Sequence, residues 1–93
     1  MFDSKDIKWV DSEYFKVIRE TEWDIEIRSR CTGHYWMLHC TDDPLPGSCE
    51  VFHRHHGWLP YHHQGRARSI HQAVRIIQQH DEFQLDGRKV SES

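Results

Sequence analysis

The sequence lacks the features of membrane proteins and of disulfide-stabilised secreted proteins. No apolar run approaches the roughly 20 residues that a membrane-spanning helix needs, and no N-terminal targeting segment is recognisable. The three cysteines, Cys31, Cys40 and Cys49, are odd in number and have no C-x-x-C spacing. This pattern predicts reduced thiols in a cytoplasmic protein.

An excess of basic residues is also missing. The formal net charge is −3 with 29% charged residues. This charge argues against a protein that binds nucleic acid over its whole surface, because such proteins are usually basic. The charge is uneven, however, because residues 50–75 contain one acid, Glu50, against four arginines. Five of the nine histidines fall in residues 53–63. We therefore expect an acidic body that carries a locally basic, histidine-rich segment.

The first half of the chain predicts one helix and then strands. Asp11 suits a helix N-cap, and Tyr14, Val17 and Ile18 follow at helical spacing, so residues 12–20 are predicted to form a short amphipathic helix. Three strands are predicted next: one alternating around residues 23–28, one at residues 34–41 that is apolar on both sides and therefore central, and one at residues 49–55. Trp23 and Trp36 are predicted to lie in the core.

The second half of the chain predicts a closing helix. Ser69 and Gln72 form a capping box, and a core stripe follows at Ile70, Ala73, Val74 and Ile77, so the helix is expected to run to about His80. Phe83 and Leu85 are expected in a short edge strand or a packed tail.

These elements predict a single α+β domain over residues 1–93. The expected order is αβββα, with a three-stranded antiparallel sheet packed by two helices and loose ends at residues 1–9 and 88–93. Which face of the third strand is buried stays open, because the two candidate faces each offer one clear apolar residue: Val51/His53/His55 and Glu50/Phe52/Arg54/His56.

This element order resembles that of double-stranded-RNA-binding domains and of HicA-type toxins. The toxins are similar at a glycine-histidine strand entrance, here Gly33-His34. The RNA-binding domains open their second helix with basic residues, which correspond here to Arg66 and Arg68. The resemblance implies RNA binding or RNA cleavage, with His34 as the candidate general base.

The histidine-rich segment offers a candidate zinc site. His53 and His55 are two residues apart on a predicted strand, so both rings leave the same face. Imidazole nitrogens at about 2.0–2.1 Å are suitable zinc ligands. His62 or His63, returned by the following loop, is expected to supply the third ligand.

The same segment also offers a candidate surface for a partner or an anion. Arg66 and Arg68 precede a helix N-terminus, whose unpaired N–H groups favour negative charge, and nearby aromatic rings could stack on bases. The full candidate set is Arg54, Trp58, Tyr61, His62, His63, Arg66, Arg68 and Arg75.

Catalysis has one candidate residue, His34. General acid–base work needs a titratable group held within hydrogen-bond reach of the proton, and the sequence does not show that geometry. The cysteines are expected to be core thiols, because no base is identifiable beside them. A non-enzymatic role is therefore favoured.

Two classes of function remain. The favoured hypothesis is a small non-catalytic inhibitor or binding module that docks on a larger protein or nucleoprotein, because the chain resembles phage-encoded inhibitors of the anti-CRISPR class in size and charge. The alternative is an RNA-directed protein of the HicA or double-stranded-RNA-binding kind. A zinc-binding histidine cluster is the third hypothesis. No cofactor is expected apart from this zinc, and the oligomeric state is left open.

Overall fold

The fold is α+β, built on a five-stranded antiparallel sheet. The computed structural model describes residues 1–43 and 45–85 in full and residues 86–92 as helix backbone. The elements are α1 (Ser4–Ile7), β1 (Phe15–Glu20), β2 (Asp24–Ser29), β3 (Tyr35–Cys40), β4 (Cys49–Arg54), β5 (His62–Ala67) and α2 (Ile70–Glu92). Each strand pairs with the next one in sequence, in the order β1-β2-β3-β4-β5. The predicted αβββα order and three-stranded sheet are therefore wrong.

The first additional strand, β1, replaces the helix predicted at residues 12–20. Asp11 does accept a hydrogen bond from a following backbone N–H, that of Glu13 at 2.9 Å, but it caps a turn that leads into the strand. The pairing of β1 with β2 shifts register between Val17 and Arg19. This bulge inserts Ile18 into the strand and breaks the two-residue alternation, which leaves a spacing that resembles a helix.

The second additional strand, β5, lies within the segment predicted to be a long loop. Its sequence is HHQGRA, and only Ala67 is buried. The strand is held by antiparallel pairing with β4, in which His62 pairs with His53 and Ala67 with Cys49. A polar edge strand has no hydrophobic alternation, so the sequence pattern did not reveal it.

Strand β3 occupies the centre of the sheet, as predicted. Trp36, Leu38 and Cys40 are buried on one face, whereas Tyr35 and Met37 are half-buried on the other. We call the first of these the inner face and the second the outer face. The buried side chains of the neighbouring strands on the inner face include Ile25, Ile27, Val51 and His53.

Helix α2 covers the inner face of the sheet. Ser69 Oγ accepts a hydrogen bond from the Gln72 backbone at 3.1 Å, while Gln72 Oε1 accepts one from the Arg68 backbone at 2.6 Å, so the capping residues act nearly as predicted. The stripe of Ile70, Ala73, Val74 and Ile77 is buried against the sheet. The core therefore lies between α2 and the inner face.

Helix α2 continues well past His80, where the sequence predicted its end. Phe83 and Leu85 lie in this helix and not in an edge strand or a tail. The predicted looseness of residues 88–93 falls outside the residues that are described in full.

The N-terminal segment contains the short helix α1. Asp3 caps it, in a capping box with Asp6, and Phe2 and Val10 on either side of the helix are buried in the core. Trp9 is half-exposed and stacks on His71 of α2, with ring centroids 4.0 Å apart. Trp23 is 47% exposed, so its predicted place in the core is wrong, whereas the burial of Trp36 is confirmed.

Candidate metal centre

Three histidines, on β4, on α2 and immediately before β3, converge beside the core. The first is His53 on β4, where Cys49, Val51 and His53 alternate inward and are all buried. This settles which face of the strand is inside. The ring of His53 stacks on Trp36, its cross-strand neighbour, with centroids 4.1 Å apart.

The second histidine is His34, which follows the turn between β2 and β3. Gly33 has φ +75° in this turn, a conformation that glycine adopts without strain. The Ser29 N–H then donates to the His34 carbonyl at 3.0 Å. His34 is 5% exposed, and its Nδ1 lies 3.0 Å from Nε2 of His53.

The third histidine is His80 of α2. It lies three residues after Ile77 and seven after Ala73, which are both buried against the sheet. Helical spacing therefore turns His80 toward the same side. Its ring centroid is 4.8 Å from that of His53 and 6.2 Å from that of His34.

The three side chains have the geometry of a metal site. One ligand nitrogen from each of His34, His53 and His80 lies within 4.8 Å of the other two. The ring planes are inclined to one another by 49°, 57° and 63°, so lone pairs that lie in those planes can meet at a common point. Two ligands of a tetrahedral zinc ion are about 3.3 Å apart. His34 Nδ1 and His53 Nε2 are 3.0 Å apart in a hydrogen bond, so one of them carries a proton. Metal binding there requires that this ring adopt its other tautomer and that the two nitrogens separate slightly.

Two of the rings at this site carry a buried polar atom without a hydrogen-bond partner. Within the described residues, such atoms are Nδ1 of His80 and Nε1 of Trp36, whose rings lie against His53, together with Oγ of Ser29 and, on the outer face, Nε of Arg54. An unsatisfied buried polar group costs on the order of 1–3 kcal/mol. A group that binds beside the two rings would relieve part of that cost.

The pKa values of His53 and His80 are lowered, which favours neutral rings. Burial lowers the pKa of His53 to about 3, and the nearby imidazoles of His80, His34, His55 and His62 act in the same direction, because they would repel a second positive charge. Burial also lowers the pKa of His80. A neutral imidazole is the form that binds a metal ion.

A hydrogen-bonded bridge fixes the helix against the turn that carries His34. Asp81, which is fully buried, accepts hydrogen bonds from Tyr14 Oη at 2.8 Å and from Thr32 Oγ1 at 3.1 Å. The Thr32 hydroxyl in turn accepts from the His34 backbone N–H at 3.2 Å. The bridge therefore holds His34 near His80, the residue before Asp81. The negative charge of Asp81 opposes the lowering of the His80 pKa.

The predicted zinc ligands His53, His55 and His62 are also brought together, but they are not equally placed. His55 and His62 are exposed at the mouth of the site, with ring centroids 4.9 Å and 5.2 Å from that of His53. His55 also stacks on His34, at 4.4 Å and 12°. His63, the other predicted third ligand, lies outside this group and pairs with Glu50.

Four of the predicted partner-binding residues interact with the chain's own carboxylates. Arg54 Nη2 lies 3.1 Å from Glu26, which also accepts from Tyr61 Oη at 2.7 Å. Arg54 is further held over the Tyr61 ring, with 4.2 Å between the guanidinium carbon and the ring centre. The other two are His63 and Arg66, which both pair with Glu50.

The remaining predicted partner-binding residues are Trp58, His62, Arg68 and Arg75. Trp58 is 80% exposed and stacks on His56. Arg68 and Arg75 line a shallow groove beside the start of α2 together with His71 and Gln72. Arg68 also lines a second groove together with Arg66, one of the four residues that pair with carboxylates.

The catalytic candidate His34 lies inside the histidine cluster, within hydrogen-bond distance of His53. Among the cysteines, Cys40 and Cys49 are buried, and burial raises the pKa of Cys49 to about 12. Cys31 is exposed, with its Sγ 3.6 Å from Tyr14 Oη.

Sequence reasoning missed His80 as a site residue. The available signal is its position three residues beyond Ile77, on the core stripe of the helix that the sequence predicts to run to about His80. Its grouping with His34 depends on the way α2 crosses the sheet, and no local pattern encodes that.

The chain matches no family model, no curated protein and no solved structure with which it was compared. Within the described residues, no helix is long and apolar enough to cross a membrane.

Proposed function

We propose that the chain is a metal-binding domain that holds one divalent transition-metal ion between His34, His53 and His80. The observation that supports this is the convergence of three inclined imidazole rings, with their ligand nitrogens within 4.8 Å of one another. The unpartnered Nδ1 of His80 gives independent support.

The donor set favours particular metals. Three imidazole nitrogens suit zinc, copper and nickel, whereas calcium and magnesium prefer oxygen ligands. Zinc accepts four-coordinate geometry with nitrogen ligands at about 2.0–2.1 Å, which fits the spacing of the three rings. We therefore propose zinc as the first metal to test.

Metal titration of untagged, chelator-treated protein tests this proposal. In competition with a chromogenic chelator, the wild type is expected to bind one zinc ion per chain. His34→Ala, His53→Ala and His80→Ala are each expected to lose most of that affinity, because two ligands hold zinc much less tightly than three.

Matched controls come from the outer face of the sheet. His39→Ala and His63→Ala remove histidines that are paired with Asp24 and Glu50, and they are expected to leave the stoichiometry at one. The proposal would be contradicted if the wild type binds well below one equivalent of zinc, or if both sets of variants lose zinc affinity equally.

Docking on a larger protein or nucleoprotein remains a second proposal. Its support is Trp58, whose side chain is 80% exposed and stacks on His56 with ring centroids 4.4 Å apart, since exposed aromatic anchors are typical of interfaces.

An RNA partner can be tested by titrating labelled duplex at two salt concentrations. Phosphate contacts must weaken steeply with salt, and Trp58→Ala must reduce binding if this loop is the contact.

A further inference from the structure

The three-histidine site leaves one coordination position of a tetrahedral ion without a protein ligand. His55 is the nearest additional imidazole to His34, but its ring is stacked almost parallel to the His34 ring, at 12° and 4.4 Å. Lone pairs lie in the ring planes, and two parallel planes do not meet at one ion. His55 therefore cannot ligate the same ion as His34 in this arrangement.

The site also leaves the charge of the ion uncompensated. Three imidazoles, which carry no negative charge, would hold an ion of charge +2 between two buried residues, His53 at 1% and His34 at 5% exposure, and the partly buried His80. Burying a net charge without an opposite charge is costly. The nearby carboxylate of Asp81 is already engaged by Tyr14 and Thr32. An anionic fourth ligand would reduce the net charge.

Trp36 and Ser29 each have a buried polar atom without a partner in the described part of the chain, and the Trp36 ring lies at the site. Trp36 is fully buried, its ring lies 4.1 Å from that of His53 and 5.2 Å from that of His80, and its Nε1 has no partner among the described residues. Ser29, also fully buried, has an unpartnered Oγ. An indole N–H only donates, so its natural partner is an acceptor such as an anion.

We propose that the metal ion keeps one exchangeable position that takes a small monoanion, or the hydroxide form of water, with Trp36 Nε1 as its hydrogen-bond donor. This rests on the metal site proposed above. The ligand must be small because the inner rings are buried, and it would enter past His55 and His62, which are exposed at the mouth.

Cobalt substitution with azide as the probe tests the proposal. Cobalt(II) in a nitrogen site has visible absorption bands that change when its ligands change. Azide added to the cobalt-loaded wild type is expected to shift these bands with saturation at one azide per cobalt. Trp36→Phe is expected to weaken azide binding roughly tenfold, the value of one hydrogen bond to a charged group, while cobalt stoichiometry stays at one.

Trp23→Phe is the matched control, because Trp23 is half-exposed and outside the site, and it should bind azide like the wild type. If Trp36→Phe fails to fold, a second measurement on the wild type tests the same proposal. In the zinc-loaded wild type, the Trp36 indole N–H resonance should shift on azide addition while that of Trp23 should not.

The outcomes separate this inference from the metal site itself. If the wild type binds no cobalt, the proposed function fails and the inference fails with it. If cobalt binds but azide leaves the bands unchanged, the site is closed by a protein ligand, so the inference is overturned while the metal site stands. If azide binds equally well to Trp36→Phe and to the wild type, and the indole resonance stays fixed, Trp36 is not the donor.

Discussion

The histidines on the two faces of the sheet have different partners. On the outer face, His39 pairs with Asp24 and His63 pairs with Glu50. On the inner face, His53 contacts the rings of Trp36 and of other histidines, and burial keeps its pKa at about 3. Burial among imidazoles favours the neutral ring, which is the form that binds a metal ion. Within the described residues, the group of three histidines whose ligand atoms lie close to one another is on the inner side.

Both faces have buried polar atoms without a partner among the described residues. On the outer face, Arg54 and Tyr61 bind Glu26, but Nε of Arg54 is buried without a partner in the residues that the structure describes. On the inner side, Nδ1 of His80 and Nε1 of Trp36 are buried without a partner within the described part of the chain. A guanidinium is a cation that only donates hydrogen bonds and does not bind a metal ion, whereas the rings of His80 and Trp36 both lie against His53.

The largest expected effect concerns packing on the two faces. Trp36 and Met37 are neighbours that point to opposite faces, fully buried and half-buried respectively. Trp36→Ala is expected to lower the free energy of unfolding by about 3–5 kcal/mol, and Met37→Ala by less than half of that. Urea unfolding of both variants measures the difference. Equal losses would show that the outer face is also a packed core.

The next effect is stabilisation by zinc. At a free zinc concentration one hundred times the dissociation constant, the wild type should gain about 2.7 kcal/mol, which corresponds to a rise of roughly 10–20 °C in the unfolding temperature. His80→Ala should lose this rise and His39→Ala should retain it, as measured by thermal unfolding with and without zinc. A rise that survives in His80→Ala would place the metal elsewhere.

A smaller effect is the pH dependence of the metal-free protein. The pKa of His53 is lowered from 6.5 to about 3 by burial and by the surrounding histidines, so the unfolded chain takes up the proton first as pH falls. The contribution of His53 to stability is therefore intact above about pH 6.5 and declines toward pH 3. The expected loss between pH 6 and pH 5 is about 1 kcal/mol.

Denaturant unfolding at these two pH values measures that loss, and His53→Gln should show a flatter dependence than the wild type. A wild-type slope that the substitution does not change would mean that other groups control stability in this range.

The smallest effect is expected on the outer face. The side chain of His63 is half-exposed and paired with Glu50, and surface ion pairs contribute about 0–1 kcal/mol. His63→Ala should therefore change the free energy of unfolding by less than about 1 kcal/mol, measured at pH 7 without metal. A loss as large as that of Trp36→Ala would contradict the distinction between the faces.

The parts of the fold that a local pattern encodes were predicted from sequence. Alternation identified β2, β3 and β4, and the stripe from Ile70 to Ile77 identified the buried side of α2. The wrong predictions concern two strands that are held by hydrogen bonding to a neighbouring strand and whose sequences do not alternate. The bulge in β1 gave Val17 and Ile18 a helix-like spacing, and β5 has no apolar alternation to read.

Only part of the candidate site could be predicted from the sequence. The pairing of His53 and His55 on one strand face is a local property, and both rings do lie at the cluster. The meeting of His34 with His80 joins residues 46 positions apart in the chain, and it depends on the packing of α2 against the β2–β3 turn. No spacing rule contains that information.

X-ray absorption at the zinc edge of the untagged, zinc-loaded protein tests the central claim most directly. The account predicts a first shell of nitrogen and light atoms at about 2.0–2.1 Å, with the outer-shell scattering of three imidazole rings. A shell dominated by sulfur at about 2.3 Å, or a spectrum without imidazole scattering, would contradict it.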